Sequence, residues 1–332
     1  VAILIFLFTA NDLTSLVTLS YVALCLGELQ SLLLLYFYYR RCVSKMPKTY
    51  EKPERRSQLL FNVLIICFPL MMNGFLSNIF NTLSTLVIPR CLITAGYTHS
   101  ESLAMIGKFT GMAMTLVGIP LIVVSSINTL LIPDLSQTLS KGKYYEASLR
   151  IKKVMKIAFI LGLATTVICL LIPDYLGEMF YDRTDLGNYI KYGALSAPVF
   201  FTFTTMFGIL NGIDKQKIIL RNSMIIAILE LIGLFIFTSI PSINIYGYAI
   251  TLFLTSLVGY FINIREVKKV IDLNISVSNI IIYLLLAVLT YLVLSIVIKV
   301  FLGPLSFVKG LILIFVTYGI FIFWGGFGEI ES

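Results

Sequence analysis

One apolar stretch, residues 58–88, carries Asn73, Ser77, Asn78, Asn81, Thr82, Ser84 and Thr85. Asn73, Ser77, Asn81 and Thr85 recur every fourth residue, so on a helix they share one face. Amides and hydroxyls cost energy against lipid unless they meet a helix partner or water. The stripe is therefore either interhelical glue, worth about 0.6 kcal/mol per contact, or the wall of a hydrophilic cavity. The next stretch opens with Lys108, and Lys108, Gly111, Thr115 and Gly118 fall on one helical face. Lys108 either snorkels to the interface or offers positive charge to an anionic substrate group, with Arg90 at the end of the preceding stretch able to join it. Two carboxylates, Glu28 and Glu230, lie within apolar runs. Buried acids of this kind bind protons or sodium and couple transport, or they pair with a neighbouring helix. The segment Asn211–Lys215 reads as a helix end and turn.

Nothing in the chain points to catalysis. There is no phosphate-binding glycine loop, no Ser-His-Asp order and no metal-ligand spacing. His99 is the single histidine, and Cys25, Cys42, Cys67, Cys91 and Cys169 are scattered without a CxxC pair. A zinc or disulfide framework is not expected, and no cofactor is called for. Without a nucleotide site, any transport is not driven by ATP at this chain.

The elements that must carry these residues are membrane spans. Of 332 residues, 58% are hydrophobic and 13% charged, far more apolar than a soluble domain. The apolar residues come in runs of about 20, the length that crosses a hydrocarbon core of roughly 30 Å. The expected architecture is an all-α integral membrane protein of about ten spans: 1–10 (partial), 16–39, 58–88, 103–132, 154–173, 188–211, 218–239, 245–264, 277–298 and 305–325. The short first run suggests that earlier spans lie upstream.

Lys and Arg concentrate in alternate loops: 40–57, 141–156, the segment with Lys215, Lys217 and Arg221, and the segment with Arg265, Lys268 and Lys269. The loop after 154–173 carries Asp174, Glu178, Asp182 and Asp185 instead. By the positive-inside rule the basic loops face the cytoplasm of a multi-pass plasma-membrane protein. This accounts for the net charge of +8 without a nucleic-acid partner, since no basic stripe with interleaved aromatics occurs in a soluble segment. Residues 42–57, with Pro47, Pro53 and mixed charge, form the clearest linker. A faint repeat crosses it: Tyr36-Phe37 before Arg41 has the spacing of Tyr260-Phe261 before Arg265.

Ile88-Pro89-Arg90, the run Ala95 to Leu103, Gly107-Lys108-Phe109-Thr110-Gly111-Met112-Ala113-Met114 and Leu131-Ile132-Pro133-Asp134-Leu135-Ser136 resemble the stage V sporulation protein B family. That family lies in the polysaccharide-transporter branch of the MOP (MATE/MurJ/Wzx-like) flippase superfamily. The resemblance implies fourteen spans in two six-helix lobes plus two helices, with this chain lacking roughly the first four. Residues 1–41 would end the N-terminal lobe, 42–57 form a cytoplasmic linker, 58–266 the C-terminal lobe, and 267–332 the final pair. It further implies a flippase for undecaprenyl-pyrophosphate-linked saccharides, with lobes rocking around a cationic cavity and, in sporulating Firmicutes, a role in spore cortex peptidoglycan.

On that reading Arg90 and Lys108 attract the pyrophosphate, Asn73, Asn78, Asn81 and Thr115 line the polar route, and Glu28 and Glu230 are ion-coupling candidates. Two departures stand. The arginine that relatives carry in the eighth span, about one turn before a proline, is Thr115 before Pro120 here, and Glu230 is outside the family pattern. The alternatives are a cation-coupled multidrug antiporter of the same superfamily, a membrane glycosyltransferase or ligase, and a non-transporting scaffold.

Overall fold

The computed structural model describes residues 13–45, 56–274, 276–302 and 307–327, and among these every regular element is helical. They divide into two units, Val1–Leu60 and Phe61–Ser332. In the first, α1 (Leu13–Lys45) is a 33-residue helix, about 50 Å long at 1.5 Å per residue. It is exposed almost throughout, and the Arg40 guanidinium stands 5.8 Å over the Tyr36 ring.

The second unit takes in most of α2 (Arg56–Thr94) and then α3 (His99–Ile106), a π-helical turn (Gly107–Ala113), α4 (Met114–Gly118) and α5 (Leu121–Ser140). It continues with α6 (Tyr144–Leu171), α7 (Pro173–Tyr181), α8 (Gly187–Ala194), α9 (Ala197–Gly212) and α10 (Gln216–Thr238). α11 (Gly247–Lys268), α12 (Val277–Val297) and α13 (Phe307–Phe327) complete it. Seven helices are long and apolar enough to cross a membrane, and nine spans result when the two bent pairs, α3–α4 with α5 and α8 with α9, each count as one. Each of the nine spans expected from 16–39 to 305–325 falls on one of these; the run 1–10 lies outside the described residues. The helices overrun the expected boundaries at their basic ends. Lys152, Lys153 and Lys156, expected in a loop, sit on the first turns of α6, and Arg40 and Arg41 on the last turns of α1. A helix keeps its own backbone satisfied past the hydrocarbon edge, so hydropathy underestimates its length.

α9 is the hub, packing on α5, α6, α10 and α11, while α12 and α13 pack on α6. α6 has 67% of its most apolar stretch buried, against 17% for α2 and 11% for α12, which puts α6 inside and leaves α2 and α12 at the margin. Leu135, Ile151, Met206 and Ile209 are wholly buried in one cluster, Ala197, Phe201, Leu186 and Ile190 in another.

Two prolines make the bends. Pro198 has no N–H to offer the Ala194 carbonyl four residues earlier, and α8 meets α9 at 52°. The Thr166 hydroxyl of α6 donates to that carbonyl instead, at 2.7 Å. Gly162, one turn away, lets α6 come so close that a Cβ there would collide with the Pro198 backbone. Pro120 ends α4, and α5 departs at 58°. After α9 the chain turns at Asp214, which takes the left-handed conformation (φ 59°). Gly212 serves packing: an added Cβ would stand 2.9 Å from Leu135 Cδ2.

Candidate functional site

Exposed polar side chains occur on two elements of the second unit, α2 and the bent span of α3 to α5. On α2, Asn78, Asn81, Thr82 and Thr85 are exposed, and Asn73 and Ser77 half-buried. The Thr82 and Thr85 hydroxyls donate to the carbonyls of Asn78 and Asn81 one turn back (2.9 and 2.8 Å). Such bonds satisfy the hydroxyls within their own helix and leave the asparagine amides facing outward. The Asn73 carbonyl oxygen is enclosed without a partner. No described hydrogen bond joins the stripe to another helix.

The second polar face is on the bent span. Thr115 is exposed, its hydroxyl donating to the Gly111 carbonyl at 2.8 Å. Below the Pro120 bend the face continues through Ser125, Ser126 and Thr129, all exposed. With Gly118, Leu121 and Ile122 these line an open cavity of about 330 Å³. The Ser126 and Thr129 hydroxyls also bond back one turn, to Ile122 and Ser125 (2.9 and 3.0 Å). Sequence reasoning missed Ser125, Ser126 and Thr129. Their three- and four-residue spacing was visible, but Val123, Val124, Leu130 and Leu131 around them made the run read as apolar. On the other side of α5, Asn128 packs on Gly208 and donates to the Thr204 carbonyl of α9 at 3.3 Å, so that asparagine is a packing group.

The two cations are positioned from one hydrophobic cluster. Ile88 and Leu92 of α2 and Phe109 of the π-helical turn are buried together with Leu234, Ile245 and Ala249. Arg90 lies between the two anchored α2 residues and is exposed. Lys108 precedes Phe109 and is partly covered. Its Nζ is 2.7 Å from Asp185 Oδ2, on the corner between α7 and α8. Asp185 also accepts from Arg183 Nε and Nη2, both at 2.9 Å. These hydrogen bonds, Arg183's first and then Lys108's, hold the Asp185 carboxyl well below the usual carboxylate range and raise the Arg183 guanidinium. The acidic loop was legible in the sequence; its pairing with Lys108 was not.

The acids separate. Glu28 is exposed on α1. Glu230 is half-buried midway along α10, within electrostatic reach of the Tyr248 hydroxyl and one turn from Gly233, which packs on Thr251. Where the start of α10 meets the end of α11, the seam between the two helices holds a polar cluster, by contrast with the apolar cluster of Leu234 and Ala249. Asn222 donates to Asn263 at 2.7 Å, both buried, and Arg221 and Lys269 each meet Glu266 at 2.9 Å. A second cavity, of about 550 Å³, opens beside Tyr192, Tyr246, Ser196 and Phe253. No group of three or more His, Cys, Asp or Glu able to hold a metal occurs among the described residues.

Two proline-bent spans, one interrupted by a π-helical turn, among seven further helices long and apolar enough to cross a membrane define the class as a multi-pass helical membrane protein. Its sequence similarities place it in the MOP transporter superfamily. Residues 69–236, just over half of the chain, match the MatE family model, and the chain belongs to that family. It is similar to Stage V sporulation protein B of Bacillus subtilis (strain 168), 22% identical over 255 residues, which are 76% of this chain and 49% of the relative. It is also similar to Lipid II flippase MurJ of the same strain, 23% identical over 220 residues, 63% of this chain and 40% of the relative. The chain thus spans about half the length, or less, of these curated relatives. No solved structure matches it.

Proposed function

We propose that this chain carries a lipid-linked saccharide of the undecaprenyl-pyrophosphate type, an oligosaccharide or peptidoglycan precursor, across the cell membrane by alternating access. The observation that carries the proposal is that polar side chains are exposed within the apolar spans: Asn78 and Asn81 on α2, and Thr115, Ser125, Ser126 and Thr129 on the bent span. Polar groups in such spans face water or protein, not lipid. Their own helices already satisfy the Thr115, Ser126 and Thr129 hydroxyls, so it is the exposed Asn78 and Asn81 amides that call most strongly for water or a polar partner. The resemblance to a protein named as a lipid II flippase supports a cargo of this chemistry, and the resemblance to Stage V sporulation protein B supports a place in sporulation.

In this reading Arg90 and Lys108 receive the pyrophosphate at the end opposite the basic loops, and those loops are cytoplasmic. Asn73, Asn78, Asn81 and Thr115 hydrate the headgroup along its route. Glu230, half-buried midway along α10, is the better coupling candidate, because Glu28 is exposed on α1. A drug–cation antiporter would place carboxylates in the cavity wall, and the 330 Å³ cavity is lined by Gly118, Leu121, Ile122, Ser125, Ser126 and Thr129.

The test is translocation of a fluorescent undecaprenyl-pyrophosphate saccharide in proteoliposomes. Arg90→Ala with Lys108→Ala is expected to slow it by roughly tenfold or more, since each charge-assisted bond to phosphate is among the strong ones. An unchanged rate would refute the cationic route.

A further inference from the structure

We propose that Asp185 is a built-in counter-ion for Lys108, one that the anionic headgroup of the cargo displaces. The proposal rests on the flippase reading and adds a residue that sets how tightly the headgroup is held. Lys108 Nζ contacts Asp185 Oδ2 at 2.7 Å, and the same oxygen takes Arg183 Nη2 at 2.9 Å. Two cations therefore share one carboxylate, and the cluster keeps a net charge of +1. A single carboxylate leaves donor capacity on Lys108, whose ammonium has three N–H groups.

The acid is fixed in place independently of Lys108. Asp182, in the left-handed conformation (φ 54°), turns the chain out of α7. The Arg183 amide donates to the Gly177 carbonyl at 3.3 Å, and Leu186 is completely buried. Arg183 grips Asp185 through two parallel bonds, the stronger fork geometry. Lys108 adds one. Its side chain is 27% exposed and that of Asp185 42%, so water and a headgroup reach the weaker contact. The lysine also springs from the π-helical turn, an irregularity that proteins place at functional positions.

The physical consequence is an exchange. A diphosphate oxygen replaces Asp185 on Lys108, and Asp185 falls back on Arg183 with both of those bonds intact. Because the cargo must displace an anion to bind, its grip is weaker than two free cations would give, and release is correspondingly easier. Cargo held too firmly in the ground state is moved no faster.

The probe is farnesyl pyrophosphate, with farnesol as the uncharged control, binding to the full chain in detergent micelles. Asp185→Asn is expected to tighten farnesyl pyrophosphate binding by about two- to fivefold, the scale of one exposed ion pair, with farnesol unaffected. Arg183→Gln removes the competing partner, leaves Asp185 to Lys108 alone and is expected to weaken binding; it serves as the second variant should Asp185→Asn not fold. Lys108→Gln is expected to weaken binding as well. If Asp185→Asn, or in its place Arg183→Gln, leaves affinity unchanged or moves it the opposite way while Lys108→Gln still weakens it, the counter-ion role is wrong and the cationic route survives. If Lys108→Gln has no effect, both fall.

Discussion

Asp185 answers to two cations, and its response to acid follows from that. Arg183 and Lys108 depress its carboxyl below the usual range. A carboxylate depressed in the folded state stabilises it at every pH above the unfolded value of about 3.9, and that stabilisation disappears only as pH falls through the lower folded value. The difference in melting temperature between the native chain and Asp185→Asn is therefore expected to stay flat from pH 8 to 5 and to shrink below about pH 4. The cluster is partly exposed, so raising salt to 1 M, where the screening length is about 3 Å, should narrow the gap at neutral pH. A gap that widened on acidification would contradict the pairing. At this scale the sequence was partly legible. Lys108, Arg90 and the asparagine stripe stood out because polar groups are rare in apolar runs. Asp185 was visible as one acid of a loop, but its pairing was not, because Lys108 lies far along the chain and only the packing of α7 and α8 against the π-helical turn brings them together.

The bent spans are the elements that set the geometry of the lobe, and the second of them can be tested through its backbone. The Ala194 carbonyl, deprived of a donor by Pro198, relies on the Thr166 hydroxyl at 2.7 Å. Thr166→Val leaves that carbonyl buried and unpaired, at a cost of about 1–3 kcal/mol. Adding Pro198→Ala returns an N–H and is expected to recover part of it. Gly162→Val drives a side chain into the Pro198 backbone, forces α6 from α9, and is expected to cost more than either. Denaturant unfolding in mixed micelles ranks the three variants against the native chain; equal stability of Gly162→Val and the native chain would contradict the close approach. The prolines were visible in the apolar runs, but not which of them bend a span: Pro133 sits inside α5 without breaking it. Nor was the compensation visible: Thr166 is an ordinary threonine in a helix until α8 lies against it. The π-helical turn left no distinctive sequence signal, since its two glycines, Gly107 and Gly111, are of a kind common in regular membrane helices.

At the scale of the whole molecule, hydropathy did most of the work. Nine expected spans fall on nine helices or bent pairs, because a bilayer demands long uninterrupted apolar runs and leaves little room for other solutions. The charge pattern of the loops supports the proposed orientation with the basic loops cytoplasmic. Harder to read was which side of each helix is covered. α6 is central and α2 marginal, a difference created by which helices pack on α9. The exposed polar faces of α2 and the bent span are the product of that packing, and the proposed route depends on them. Their water accessibility is the most direct test. In a chain whose native Cys25, Cys42, Cys67, Cys91 and Cys169 are replaced by Ala or Ser, single cysteines at Asn81, Thr115, Ser125 and Thr129 would be treated with a membrane-impermeant charged thiol reagent. Controls are cysteines at Leu285 and Leu289, exposed apolar positions on α12. The account predicts that the four polar-face cysteines react, that an undecaprenyl-pyrophosphate saccharide protects them, and that the α12 controls stay unlabelled. Polar-face cysteines no more reactive than the α12 controls would contradict it.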